Sequence, residues 1–227
     1  MNFKQEAAKH AVTLVKENDI VGLGAGSTMA YVAEFLKGKI KNGFSIKLLT
    51  SSFSTAQLLL KENLVVHAAS SFKKIDIYFD GCDLFDHKLN ALKSGGGIHT
   101  QEKLLASMAK QFVLVGDETK LVERFDIKYP LVIEMLPQAN LYVPETIQKL
   151  FTTVKTSMRI SEKKDGPIIT ENGNYLLDVY FENWPELHEI NPAFKNISGV
   201  VETSLFYSLA YKAIIAGENG IRVLENF

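Results

Sequence analysis

Apolar positions in the first half of the chain switch repeatedly between two periods. Over residues 4–17, Ala7, Ala8, Ala11, Val12, Leu14 and Val15 recur at helical spacing, which predicts an amphipathic helix. Asn18-Asp19 ends it, and Ile20-Val21-Gly22-Leu23 is a short apolar run bounded by glycine, the mark of a buried strand. Ser27-Thr28 can cap a helix to about Leu36. Lys37-Gly38-Lys39 and Lys41-Asn42-Gly43 read as turns. Strands are predicted at 45–50, 64–66 and 75–80, with a helix at 54–61. Residues 81–100 are glycine-rich and irregular, 101–110 predict a helix and 112–115 a strand. Such alternation predicts an α/β fold, a parallel sheet with helices on both faces.

The pattern changes after about residue 127. Pro130 interrupts 127–135, residues 140–150 pass from strand or loop into helix, and 158–160 and 168–170 predict strands. Glu171-Asn172-Gly173-Asn174 places an Asn-Gly turn between apolar segments, a hairpin signal, with 175–181 as the returning strand. This stretch predicts a smaller α+β domain. Residues 204–216 predict a closing helix, and 221–224 a last strand rejoining the first sheet.

Composition narrows the class. With 227 residues and 46% hydrophobic content, the chain can bury a substantial core as one large domain or two small ones. A formal net charge of −1 gives no field to attract nucleic acid or anionic lipid, so neither is an expected partner and any anion site must be local. The lone Cys82 cannot form an internal disulfide, which fits a reducing compartment. The start of the chain has no apolar run behind a basic patch. No stretch reaches the roughly 18 apolar residues of a membrane helix. A cytoplasmic address is expected.

Three constellations carry candidate chemistry. Gly22-Leu23-Gly24-Ala25-Gly26-Ser27-Thr28 follows a strand and opens a helix. Glycines let backbone N–H groups approach an anion, the helix N-terminus adds partial positive charge, and the two hydroxyls add donors. No Gly-Lys-Ser/Thr follows, so it is not a P-loop. A tight turn with a Ser cap accounts for the same residues without a ligand. The second is Asp76-Ile77-Tyr78-Phe79-Asp80-Gly81-Cys82-Asp83. Alternation puts Asp76, Tyr78 and Asp80 on one face. Asp80 and Asp83 end a parallel strand, where open α/β sheets bind ligands. Two such carboxylates can accept hydrogen bonds from sugar hydroxyls, coordinate a hard cation, or decorate a solvated turn. Cys82 between them reads as a small packing residue.

The third runs from Lys93 through Ser94, Gly95, Gly96 and Gly97 to His99 and Glu102. The glycines permit a second anion nest, Lys93 can face a developing oxyanion, and Glu102 in a first helical turn can serve as a general base or merely answer the helix dipole. Lys120, after the 112–115 strand, can reach a phosphate or remain solvated. The five histidines lack metal-ligand spacing.

Taken together, the segments resemble the type A ribose-5-phosphate isomerase family over nearly the whole chain. GLGAGST is similar to that family's G-x-G-T-G-S-T, TSSFST to T-S-S-x-x-T, and DGCD to D-G-A-D. KSGGGIHTQEK is similar to K-G-G-G-x-x-x-x-R-E-K, YPLVIEMLP to P-L-P-V-E-V-x-P, ITENGNYLLD to V-T-D-N-G-N-x-I-x-D, and SGVVETSLF to G-V-V-E-x-G-L-F. The chain departs from these patterns at Ala25, Leu84, Ser94 and Gln101. The resemblance implies cofactor-free interconversion of ribose 5-phosphate and ribulose 5-phosphate. It also implies a Rossmann-like, mostly parallel sheet formed by 1–127 and 203–227, an inserted α+β domain at 128–202, and a homodimer or homotetramer. Glu102 falls on the family's base, and Asp80, Asp83 and Lys93 on positions around the open-chain sugar. Ser27, Thr28, Lys120 and Lys4 fall on substrate-binding positions, beside Ala25, Gly26, Gly81, Cys82, Ser94, Gly95 and Gly96. Alternatives are a sugar-phosphate sensor, an amino-sugar-phosphate isomerase-deaminase using His99, and a CoA transferase with a nucleophilic glutamate.

Overall fold

The fold was analysed in a computed structural model that describes residues 2–225. In chain order, helix α1 (Phe3–Ala11) leads to strand β1 (Ile20–Leu23), α2 (Ser27–Lys41), β2 (Lys47–Thr50), α3 (Phe53–Lys61) and β3 (Ile75–Asp80). Short strands β4 (Leu84–Phe85) and β5 (Ala91–Leu92) precede α4 (His99–Met108) and β6 (Ala109–Asp117). Then come β7 (Leu131–Met135), α5 (Tyr142–Leu150), β8 (Val154–Met158), β9 (Tyr175–Phe181) and α6 (Leu187–Lys195). The chain closes with β10 (Val200–Thr203), β11 (Leu205–Phe206), β12 (Lys212–Gly217) and β13 (Gly220–Glu225).

Three sheets result. The largest has the order β13-β12-β6-β3-β1-β2, parallel except for the edge strand β13. Its strands alternate apolar side chains to two covered faces. Ile77, Phe79, Val113 and Ile214 pack under α1, α2 and α3. Tyr78, Phe112, Leu114 and Ile215 pack against α4 and the small sheet β11-β5-β4. An antiparallel sheet, β10-β7-β9-β8, carries a separate core with α5 and α6. Leu84, Leu92 and Leu205 of the small sheet join that core, so the small sheet couples the two larger ones. Among the described residues no helix is long and apolar enough to cross a membrane.

The mainly parallel α/β sheet with helices on both faces agrees with the sequence. Several elements differ from expectation. The first helix stops at Ala11 and tightens into a 3-10 turn at Val12–Leu14. There Thr13 Oγ1 donates back to His10 O at 2.7 Å, the local bond by which threonine competes with helix continuation. Helix α2 instead runs through the expected turn at 37–39. Gly38 costs about 1 kcal/mol in a helix, but Leu36 and Ile40 continue the apolar face into the core. The helix ends at Lys41, and Gly43 beyond it, with a φ of +89°, permits the reverse turn that carries Phe44 N to Lys39 O at 3.1 Å.

The expected strand at 64–66 is reduced to one bridge between Val66 and Leu48 at the sheet edge, with Val65 exposed. The expected helix at 101–110 starts at His99 and ends at Met108, because Ala109 and Lys110 already belong to β6. The strand expected at 158–160 ends at Met158, and 168–170 holds only a bridge from Ile169 to Tyr175. The expected closing helix at 204–216 is two strands joined by a turn with Ser208 at φ +51°. Strand β12 lies between β6 and β13. A strand covered on both faces has a continuous apolar run, which periodicity cannot separate from a buried helix. Helix α6, unread in the sequence, tolerates Pro192 because Ile190 and Phe194 are fully buried on either side of it.

Candidate active site

Strands β6, β3 and β1 are neighbours, and the chain leaves β1 toward β2 on one side of the sheet and β3 toward β6 on the other. Their C-terminal ends form the crevice in which open α/β sheets bind ligands. A cavity of about 270 Å³ lies there. It is lined by Ala25, Gly26, Ser27 and Thr28 after β1, Gly81, Cys82 and Asp83 after β3, and Lys93, Gly95, Gly96 and Glu102 around the start of α4. Val115, Gly116, Asp117 and Lys120 after β6 complete it, with Lys4 from α1. Of the expected site residues, Asp80 and Ser94 alone do not line it.

One end of the cavity suits an anion. Gly26 caps α2 at φ +93°, and Ser27 and Thr28 open a 15-residue helix, so unpaired N–H groups and the helix dipole face the same place. Lys4 Nζ stands 3.5 Å from Ser27 Oγ, and Lys120 lines the same cavity.

At the other end is a buried charge cluster. Lys93 Nζ is 2.9 Å from Asp80 Oδ2 and 3.2 Å from Glu102 Oε1, and donates to Gly81 O at 2.5 Å. All three ammonium hydrogens therefore have acceptors. Asp80 is fully buried. Its Oδ1 accepts from Gly81 N at 2.8 Å and Ala25 N at 3.2 Å, while Oδ2 accepts from Tyr78 Oη at 2.7 Å as well as Lys93. Four donors leave it nothing to offer a ligand or a cation, so Asp80 organises the cluster from behind. Asp83 Oδ2 accepts from Ser94 N at 2.6 Å and Gly95 N at 2.9 Å, shaping the glycine loop, while Oδ1 has no hydrogen-bond partner among the described residues. Ser94 is turned inward, its hydroxyl donating to Pro130 O.

Burial, and then the negative charge of Asp80, push the Glu102 carboxyl above the usual carboxylate range, against the pull of Lys93. Burial opposes the Lys93 ammonium, but Asp80 and Glu102 outweigh it and hold its proton more tightly than usual. Burial, with Asp83 and Asp80, pushes the Cys82 thiol up to about 12 against Lys93, so it stays a thiol and not a nucleophile. His99 is fully buried outside the cavity, and burial and Lys103 push it down to about 4, so it is a neutral packing residue.

A second buried carboxylate fixes α4 from the other sheet. Glu134 of β7 accepts from Thr170, Asn172 and Asn174 of the Asn-Gly hairpin at 2.8–2.9 Å, and from Thr100 in the first turn of α4. Burial alone would raise its pKa, but these donors together hold it below the usual value.

The family model described as ribose 5-phosphate isomerase A (phosphoriboisomerase A) matches residues 47–220. The chain belongs to that family. A ribose-5-phosphate isomerase A of Synechococcus sp. is 36% identical over 224 residues, covering 98% of this chain and 96% of the relative. The solved ribose 5-phosphate isomerase A of Methanocaldococcus jannaschii is similar with a TM-score of 0.90 at 33% identity, covering 98% of this chain and 97% of that one. A solved D-ribose-5-phosphate isomerase in complex with phospho-erythronic acid has a TM-score of 0.92 at 33% identity, covering 99% and 100%.

Sequence reasoning counted Gly24 among the glycines of the anion cradle and gave no role to Tyr78, Ser51 or Glu134. The pairing of β1 with β3 gives Gly24 a different constraint. A Cβ on Gly24 would stand 1.9 Å from the Asp80 carboxyl. Gly24→Ala is therefore expected to force Asp80 off Lys93 and Tyr78. Overpacking costs about 1–3 kcal/mol, so thermal denaturation should show a lowered Tm and an assay a large loss of kcat. An alanine variant of wild-type activity would mean that Asp80 is not held in place for function.

Proposed function

We propose that this chain interconverts ribose 5-phosphate and ribulose 5-phosphate, with Glu102 moving a proton between C2 and C1 through an enediolate. The observation that carries the reading is a buried carboxylate of raised proton affinity, paired with a buried ammonium, in one cavity with an anion-binding helix terminus. Family membership supports it, as does a relative of the same fold solved with a phosphorylated sugar acid.

Gly26, Ser27, Thr28, Lys4 and Lys120 hold the phosphate, and that remote binding energy aligns the sugar. Asp83 Oδ1 accepts a hydrogen bond from a sugar hydroxyl. Glu102 takes the C2 proton of the open-chain aldose, and the electron pair delocalises onto the C1 carbonyl oxygen. Negative charge thereby passes from Glu102 to the substrate. The protonated carboxyl holds Lys93 less strongly, and the ammonium turns to the enediolate oxygen, where charge is developing. Glu102 then returns the proton at C1 while the O2 proton passes to O1, closing the C2 carbonyl and giving the ketose. The chemistry divides the chain as 1–127 with 203–227, and 128–202, the second part bracing α4 through Glu134. The protein acts in the cytoplasm as a homodimer or homotetramer, without nucleic-acid or membrane partners.

The test is ribose 5-phosphate in deuterated buffer, followed by NMR. Ribulose 5-phosphate with solvent deuterium at the transferred position is expected, and an inert protein would overturn the reading. The pH profile follows from the raised carboxyl. Glu102 works only when deprotonated, so kcat/KM falls as pH drops through its raised pKa. The acid limb therefore lies above the ordinary carboxyl value of 4.5. A limb at or below that value would contradict the burial argument.

A further inference from the structure

Tyr78 is fully buried on β3 and does not line the cavity. Its ring stacks on Phe112 with centroids 5.4 Å apart, and a Cβ on Gly22 would meet it at 2.8 Å. Phenylalanine would fill that space as well. What tyrosine adds is a hydroxyl, and a buried hydroxyl needs partners. It has two. It donates to Asp80 Oδ2 at 2.7 Å, and its oxygen lies 3.0 Å from Ser51 Oγ, which then donates to it. Asp80 Oδ2 is the same oxygen that Lys93 holds at 2.9 Å.

We propose that Tyr78 is a positioning residue for the proton transfer: its hydroxyl, supported by Ser51, fixes the Asp80 carboxylate and so sets how Lys93 is shared between Asp80 and Glu102. The proposal rests on Glu102 as the base. The charged and titratable groups around the cluster are Asp80 on β3, Glu102 on α4, Lys93 after β5, Cys82 and Asp83 after β3, and Lys120 after β6. Of these, Asp80 and Lys93 act most directly on Glu102. Burial, then Asp80 and Glu102, push the Tyr78 phenol well above its ordinary range, so it remains a donor at every working pH.

Removing the hydroxyl has one sign by two routes. Asp80 Oδ2 is left with Lys93 alone and draws the ammonium away from Glu102. Asp80 also becomes a better acceptor for a proton shared with Glu102. Either way the base binds its proton more tightly.

In Tyr78→Phe the acid limb of kcat/KM should move up by about one pH unit. KM on the plateau should stay unmoved, because neither Tyr78 nor Ser51 touches the cavity. Ser51→Ala should move the limb the same way by less, and it carries the test should Tyr78→Phe not fold. A purely structural role would lower Tm and scale activity equally at all pH values, leaving the limb in place. That result, or a limb displaced downward, overturns the proposal. Glu102→Gln measured alongside separates the two readings. If it keeps full activity, the base assignment fails. If it is inactive while the Tyr78→Phe limb is unmoved, only the role of Tyr78 fails.

Discussion

Glu102→Gln is expected to lower kcat toward ribose 5-phosphate by about 10²–10⁴-fold, the range over which general acid–base groups act. It should do so without loosening the fold. Glutamine has the shape of glutamate and fits a site where Glu102 is 4% exposed. Its amide oxygen can still accept from Lys93, which stands 3.2 Å from Glu102 Oε1. What it lacks is any affinity for a carbon-bound proton.

The stability of the same variant has a defined sign. In the folded chain the Glu102 carboxyl keeps its proton at pH values where the unfolded chain, near the ordinary value of 4.5, has lost it. The folded state therefore binds more protons in that window, and stability falls as pH rises through it. Glutamine removes this dependence. Tm followed against pH should show the variant equal to or above wild type at neutral and alkaline pH, and the difference should vanish in acid. An inactive variant that is also markedly less stable at neutral pH would mean that Glu102 supports the fold rather than the reaction.

Most of the residues lining the candidate site were legible in the sequence because the ligand-binding loops of an α/β sheet follow strands at fixed offsets. The strand ending at Asp80 and the glycine loop beginning at Lys93 each announced themselves locally. Elements decided by long-range neighbours were not legible. Strand β12 reads as a helix because both of its faces are buried, and only its position between β6 and β13 distinguishes the two. Helix α2 runs past Gly38 because Ile40 finds a core that no local pattern reveals. The division of labour among the acids was hidden for the same reason. Asp80 and Asp83 look equivalent in D-G-C-D, yet Asp80 is consumed by four internal donors, while Asp83 lines the cavity and has one oxygen without a partner among the described residues. The donors responsible come from residues 25, 78, 81 and 93, and their convergence is a property of the fold.

Lys93→Met should produce the largest combined loss. The ammonium is 7% exposed, and its three hydrogens are spent on Asp80, Glu102 and Gly81 O. Removing it leaves two buried carboxylates facing each other. Breaking a buried ion pair by removing one partner costs about 3–5 kcal/mol, which the pair can relieve only by taking up a proton. That proton neutralises the base, so activity at neutral pH should fall as far as in Glu102→Gln, with the added loss of the group that meets the enediolate oxygen. The folded variant binds a proton that the unfolded chain does not, so its stability falls as pH rises and the deficit is greatest in alkali. Lys93→Arg should not restore function, because a planar fork cannot point three donors at three acceptors around one nitrogen. The double variant Lys93→Met with Glu102→Gln separates the two effects. With only Asp80 left charged, it should recover part of the stability lost in Lys93→Met while remaining inactive, a coupling that a double-mutant cycle of unfolding free energies reads directly. Additive losses in that cycle would show that Lys93 and Glu102 do not share charge in the folded chain, and the account of proton transfer built on their contact would fall with it.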